Sequence, residues 1–304
     1  MIARAVRERM WFDGALVAAD EIAVRPFTHA LHYGSGVFEG IRAYETARGT
    51  GVFRLRDHLR RFFASAGVYG LKIEYDEAAL AAAVFATLRA NAFASGYIRP
   101  LAYYGEKGIS LAPTFHCPTH VLIALRPLAG SLLGDDGVRV TISNWQKTPS
   151  RSMPSTVKAS GHYMNSILAL QDAQRNGFDE AILLNDRGDV AEGTGENIFV
   201  VKDGRLRTND ASADVLEGIT QATVVELARD RGIAVEIGRI TPAELLAADE
   251  LFFTGTAAEV MPILQIDEHD LPSARPVTES LRRAYQEAVG GEDPRHADWV
   301  EYEF

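Results

Sequence analysis

Cysteine is all but missing from this 304-residue chain: Cys117 stands alone, which excludes an internal disulfide and a cysteine-based metal site. A lone cysteine without a neighbouring activator is ordinarily buried or idle. The eight histidines form no His-Glu-x-x-His run and no His-x-His cluster, and His29 and His32, spaced by three, bring no carboxylate or cysteine with them. No metal is expected. Long apolar runs are lacking as well; the longest, from Ala78 to Ala86, is far below the roughly 20 residues a membrane helix needs. The first residues, MIARAVRERMWFDG, scatter charge where an export signal needs an apolar core, so a cytoplasmic protein off the membrane is expected. Positive charge is in deficit. A formal net charge of -10 and a pI near 5.3 leave no basic footprint for nucleic acid, and small-molecule partners are favoured. Three common nucleotide and hydrolase signatures, GxGxxG after a strand, GxxxxGK[ST] and GxSxG, are absent too.

What is present is ample core: 47% of the residues are hydrophobic, enough for one large or two ordinary domains. Met10 to Phe12 and Ala15 to Val17 flank Asp13-Gly14, a pair that tolerates the positive φ of a tight hairpin. Asp57 to Ala66 reads as an amphipathic helix, and Asp76 to Asn91 as a helix with an Asp cap and an acidic first turn. Strands are predicted over 97–104 and 120–125. From Arg126 to Gly137 the pattern weakens into Pro127, Gly130, Gly134 and Asp135-Asp136-Gly137. The spacing therefore predicts a small α+β domain over 1–126, a link over 127–137 and a larger domain over 138–304. In the latter, strands are predicted over 138–143, 180–184, 190–192, 198–201 and 250–253, and helices over 161–176 and 219–231. Thr241-Pro242-Ala243-Glu244 combines a capping box with proline in the first turn. The layout is α+β, not a repeating βαβ chain.

Lysine is the second scarcity, with only Lys72, Lys107, Lys147, Lys158 and Lys202, while arginine supplies the rest of the 31 basic residues. A lysine that attacks an aldehyde must be neutral, which requires burial or nearby positive charge. Lys158 lies among small uncharged residues, Ser155-Thr156-Val157-Lys158-Ala159-Ser160-Gly161, just before a helix; local context alone leaves a surface role open. Glu192-Gly193-Thr194-Gly195-Glu196-Asn197 leaves a strand, breaks at two glycines and re-enters a strand. A carboxylate there could hold a pyridine nitrogen protonated, or simply be solvated. Leu216-Glu217-Gly218-Ile219-Thr220 opens a helix, and Thr254-Gly255-Thr256-Ala257-Ala258 follows a strand; both have the unpaired N–H groups and hydroxyls of a phosphate cradle, and also the composition of ordinary turns. Arg61 could add a cationic clamp.

Six segments in order, His29 to Arg42 (HALHYGSGVFEGIR), Tyr97 to Gly105 (YIRPLAYYG), the Lys158 segment, Glu192 to Phe199 (EGTGENIF), Leu216 to Gln221 (LEGITQ) and Thr254 to Glu259 (TGTAAE), resemble the class IV aminotransferases, above all the branched-chain amino-acid aminotransferases. The resemblance covers roughly Trp11 to Ile266. It implies a two-domain fold-type IV enzyme, D-amino-acid aminotransferase-like, with pyridoxal 5'-phosphate (PLP) between the domains, the larger domain binding it, and a homodimer or larger homo-oligomer. Lys158 is implied as the catalytic residue and covalent anchor. Arg61, Gly218, Ile219, Thr220, Gly255 and Thr256 are implied at the phosphate, Glu192 at the pyridine nitrogen and Tyr163 at the phenolic oxygen. Tyr33, Phe38, Gly40, Tyr97, Arg99, Thr256 and Ala257 are implied at the substrate. The implied reaction moves the amino group of a branched-chain L-amino acid to a 2-keto acid such as 2-oxoglutarate, since apolar walls accept aliphatic side chains.

The stretch LAYYGEKGISLAPTFHCPTHV departs from the form of those enzymes: Glu106 and Lys107 put charge in a segment that borders the family's substrate pocket, and the 126–137 link lacks the usual aromatic run. Two alternatives of the same fold stay open, an (R)-amine or D-amino-acid transaminase and an aminodeoxychorismate lyase. A non-catalytic relative is disfavoured by the joint presence of Lys158, Glu192 and Arg61.

Overall fold

A computed structural model describes residues 8–303 apart from 109, 113–115, 129 and 135. The first half of the charge-scattered N-terminus, and Ala129 and Asp135 of the expected link, lie outside the described residues. The chain divides into two compact units that are not continuous stretches: Met1–Ala129 groups with Val157–Gly161 and Val289–Phe304, and Gly130–Thr156 groups with His162–Ala288.

The first unit opens with β1 (Arg9–Phe12) and β2 (Ala15–Ala18), joined at Asp13 and Gly14 with φ of 45° and 95°, as the hairpin requires. There follow α1 (His29–Tyr33), β3 (Gly36–Phe38), β4 (Ile41–Thr46), β5 (Gly49–Phe53), α2 (Leu55–Val68), α3 (Glu77–Ala90), β6 (Gly96–Tyr104) and β7 (Thr119–Arg126). Among the described residues the sheet runs from the C-terminal strand Val300–Glu301 through β5, β4, β6, β7 and β1 to β2, with β3 also on β6. Every pairing in it is antiparallel. Leu55, Leu59 and Phe62 of α2 and Leu80, Val84 and Leu88 of α3 repeat at three- and four-residue spacing and are buried with Ile41, Val52, Ile98 and Ile123 of the sheet. Each such side chain contributes about 1.5–3 kcal/mol on burial. Asp76 caps α3 by accepting the Ala79 N–H at 2.8 Å.

Helix α2 begins two residues earlier than predicted. Its start is set by distant chain: Arg54 adopts a left-handed φ of 52° and donates its N–H to Trp299 O, and the Glu301 carboxylate accepts the Arg56 N–H at 2.8 Å across 245 residues. No local signal encodes this.

The second unit contains β8 (Val138–Ile142), α4 (Tyr163–Arg175), β9 (Glu180–Ile182), β10 (Asn197–Lys202), β11 (Arg205–Thr208), α5 (Ile219–Asp230), β12 (Val235–Ile237), α6 (Pro242–Leu246), β13 (Glu250–Gly255), β14 (Glu259–Ile266), β15 (His269–Asp270) and α7 (Pro276–Val289). Among the described residues its sheet order is β12-β11-β10-β13-β14-β8-β9, with β15 on β14. It is a mixed sheet: β8 pairs in parallel with both β9 and β14, and β11 with β12. The predicted strand at 190–192 is instead an extended segment tied back to its neighbour, with Ala191 N–H on Leu183 O at 2.9 Å and Leu183 N–H on Glu192 O at 2.8 Å. The helix expected from Gly161 starts at Tyr163, because Ser160–His162 form a tighter turn first. At α6 the Glu244 carboxylate accepts both the N–H and the hydroxyl of Thr241, each at 2.8 Å. Among the described residues no helix is long and apolar enough to cross a membrane.

Candidate active site

Lys158 is held from two sides within the first unit. Its N–H donates to Ser65 Oγ of α2 at 3.1 Å, its carbonyl accepts the Phe38 N–H at 3.0 Å, and Val37 and Ala159 form an antiparallel bridge. The side chain is half-buried, with Nζ 5.3 Å from the Phe38 ring centroid. The same ring faces the Arg99 guanidinium, whose Cζ lies 4.5 Å from it and 5.1 Å from the Tyr97 ring. Arg99 Nη2 donates to the Tyr97 hydroxyl at 3.0 Å, and Arg99 Nε is buried with no hydrogen-bond partner among the described residues. Two cations and two aromatic rings therefore share one patch, an arrangement that offers apolar walls and a donor for an acid group. Tyr33, at the end of α1, is exposed.

Gly40 abuts this patch. A Cβ on it would fall 1.9 Å from the Tyr97 hydroxyl oxygen. Gly40→Ala must displace that ring.

Arg61, also on α2, is engaged by a residue that motif reading passed over. Glu39 accepts from Arg61 Nε at 2.7 Å and Nη2 at 2.9 Å, and from His58 Nδ1 at 2.7 Å. Because a carboxylate only accepts, the bonded His58 nitrogen carries the proton. Burial alone would raise Glu39, but the Arg61 charge and the bonds from His58 and Arg61 outweigh it and hold the carboxyl far below the usual range. Burial lowers His58, the Glu39 contact opposes that, and the charges of Arg61 and Lys158 push it further down.

In the second unit Glu192 is buried, with donors on both oxygens. Lys147 Nζ lies 2.5 Å from Oε1, while Oε2 takes the Leu216 N–H at 3.2 Å and Asn197 Nδ2 at 3.5 Å. Asn197 Nδ2 also bonds Leu216 O at 2.8 Å, which ties the start of β10 to the segment leading into α5. The loop between is pinned by the buried Glu180 carboxyl, which accepts the Thr194 N–H at 3.2 Å. Gly218 is the N-cap of α5, followed by Ile219 and the buried Thr220. A Cβ on Gly218 would sit 2.0 Å from Asn197 Oδ1, so only glycine leaves this cap intact. Gly255 ends β13, and Thr256 and Ala257 form the half-buried turn into β14. Tyr163 is the first residue of α4, half-buried.

The residues singled out from sequence thus fall into two groups. Lys158, Arg61, Phe38, Gly40, Tyr97, Arg99 and Tyr33 belong to the first unit, and Tyr163, Glu192, Gly218, Ile219, Thr220, Gly255, Thr256 and Ala257 to the second. Among the first, the structure brings Lys158, Phe38, Arg99, Tyr97 and Gly40 together; among the second, Glu192 lies against the chain leading to Gly218. Sequence reading missed Glu39, His58, Ser65, Lys147 and Asn197. His58 and Ser65 carried a usable signal, sitting three before and four after Arg61 on one helical face. Lys147 carried none beyond the rarity of lysine.

The family model for amino-transferase class IV matches residues 36–266. The branched-chain-amino-acid aminotransferase of Pseudomonas aeruginosa is 42% identical over 296 residues, covering 95% of each chain. The crystal structure of the T.th. branched-chain amino acid aminotransferase complexed with N-(5'-phosphopyridoxyl)-L-glutamate superimposes with a TM-score of 0.93 at 42% identity, covering 97% of this chain and 98% of that one. The same enzyme complexed with 4-methylvaleric acid gives a TM-score of 0.93 at 41% identity and the same coverage.

Proposed function

Because the chain belongs to the class IV aminotransferases, we propose that it moves the amino group of a branched-chain L-amino acid to 2-oxoglutarate, with PLP as its cofactor. The observation that carries this reading is the Phe38–Arg99–Tyr97 cluster beside Lys158: its rings suit an aliphatic side chain, and the Arg99 guanidinium between them suits the second carboxylate of a dicarboxylic acid. Relatives with a leucine-shaped acid and with a glutamate adduct support both halves.

Each unit carries donors that suit the cofactor. In the second, Glu192 offers a buried carboxylate to a ring N–H, and the α5 N-terminus at Gly218-Ile219-Thr220 and the Gly255-Thr256 turn offer N–H groups and hydroxyls to a phosphate; in the first, Arg61 offers a charged donor. Tyr163 would donate to the phenolic oxygen. Bound PLP supplies an aldehyde for amines and a protonated ring that takes up electron density. Lys158 would have two tasks: its amine would anchor the aldehyde, and as a free amine its Nζ would take the proton from the substrate Cα. Phe38 keeps that nitrogen against an apolar face, and the backbone bonds to Ser65 and Phe38 hold it in place. Tyr33, Gly40, Tyr97, Arg99, Thr256 and Ala257 orient the substrate. The reading includes a homodimer or larger homo-oligomer in the cytoplasm. Exposed Met164, Ile167 and Leu168 on one face of α4 support a second copy, and a chain with a single cysteine suits a reducing compartment.

An amino-donor scan tests the reading. With 2-oxoglutarate as acceptor, L-leucine, L-isoleucine and L-valine are expected to yield glutamate at least about tenfold faster than D-alanine or (R)-1-phenylethylamine, a ratio set by pocket fit. The opposite order would overturn the branched-chain assignment, and pyruvate release from aminodeoxychorismate would point to the lyase.

A further inference from the structure

Helix α2 carries His58, Arg61 and Ser65 on one face, and Glu39, from the turn between β3 and β4, meets the first two. Glu39 is fully buried, His58 2% and Arg61 15% exposed at their side chains. A charge cluster this deep gains little stability over apolar side chains of the same volume, because desolvation consumes most of the attraction. Geometry accounts for it better. Two parallel bonds from one carboxylate to Nε and Nη2 fix the plane of the guanidinium, and the His58 bond fixes the carboxylate in turn. We propose that Glu39, backed by His58, is a positioning residue that aims the Arg61 guanidinium at the phosphate of PLP. The inference rests on the assignment of Arg61 to that phosphate.

Charge alone predicts the opposite effect. A carboxylate beside the arginine subtracts positive potential from an anion site, so Glu39→Gln should tighten phosphate binding if the site works by net charge. If it works by orientation, loss of the bidentate carboxylate should loosen it. Loosening is expected, more weakly, of His58→Gln, which keeps the carboxylate and replaces its rigid imidazole donor with a flexible amide.

The experiment unloads and reloads the holoenzyme and its Glu39→Gln, His58→Gln and Arg61→Gln variants with PLP and with pyridoxal, which lacks the phosphate, reading bound-cofactor absorbance and Tm. Glu39→Gln is expected to weaken PLP by about tenfold while pyridoxal changes by less than about twofold. His58→Gln should weaken PLP by about threefold with the same selectivity, and remains informative where Glu39→Gln does not fold. Arg61→Gln examines the underlying assignment: unchanged PLP affinity there would remove Arg61 from the phosphate and the inference with it. Weakened PLP binding in Arg61→Gln, combined with unchanged or tighter binding in Glu39→Gln, would overturn the positioning role alone. Equal loss of PLP and pyridoxal in the Glu39 and His58 variants would also overturn it, because a general structural defect does not single out the phosphate.

Discussion

Lys158→Ala is expected to lower turnover by roughly 10⁴-fold or more, since in the proposed function one side chain would supply both the covalent anchor and the proton-transfer amine, and general acid–base catalysis alone is worth about 10²–10⁴-fold. The fold should survive. The contacts that fix this segment are made by backbone, Lys158 N–H to Ser65 Oγ and Lys158 O to Phe38 N–H, and alanine keeps both. The contact of a half-buried side chain over the Phe38 ring is lost, a change of about 1 kcal/mol or less. Stopped-assay turnover and thermal unfolding should therefore part company, with activity gone and Tm nearly unchanged. A variant still turning over within about tenfold of the parent would show that another group moves the proton. Lys147 is the first to test in that event, since its Nζ already lies against Glu192.

Glu192→Gln should have the second-largest effect, and on two separable quantities. The amide preserves size and can still accept from Leu216 N–H and Asn197, so the segment leading to α5 keeps its tie. It cannot carry the negative charge that a protonated ring nitrogen needs. Turnover should fall by roughly 10²–10³-fold, the scale of losing one preorganised electrostatic partner. Stability should fall too, because Lys147, with 16% of its side chain exposed, loses its counter-ion. Leaving a buried charge unpaired costs about 3–5 kcal/mol when fully enclosed, and the partial exposure here brings that to about 1–3 kcal/mol. Adding Lys147→Met to Glu192→Gln should restore much of the Tm and none of the turnover. Recovery of turnover in the double variant would mean that the defect was the stranded lysine and not the missing carboxylate. Full activity in Glu192→Gln itself would remove this residue from the ring nitrogen.

These two residues stand out in the sequence because both sit in short segments whose composition is unusual and whose order along the chain is specific. The Asp13-Gly14 turn, the Asp76 cap and the Thr241-Glu244 box were legible for a different reason: each is settled by groups a few residues apart, through φ preference or a side chain reaching the nearest free N–H. Boundaries failed where distant chain intervened. Helix α2 starts at Leu55 because Trp299 and Glu301 supply the acceptors for its first N–H groups, and at the 190–192 segment the Val190 N–H is taken by Ile240 O, 50 residues away.

What the sequence by itself determined is the family, through the order of a lysine among small residues, a carboxylate in a glycine-broken loop and two glycine- and threonine-bearing turns. What only the tertiary structure decided is which charges face each other. Glu39 finds His58 across 19 residues and Arg61 across 22, and Lys147 finds Glu192 from another part of its unit. Such pairs are set by the packing of α2 against the first sheet and of the Glu192 loop against its own, and a charged side chain carries no local mark of the partner it will meet. Periodicity and turn chemistry act over a few residues, whereas an ion pair between buried groups exists only once the core that excludes water has closed around it.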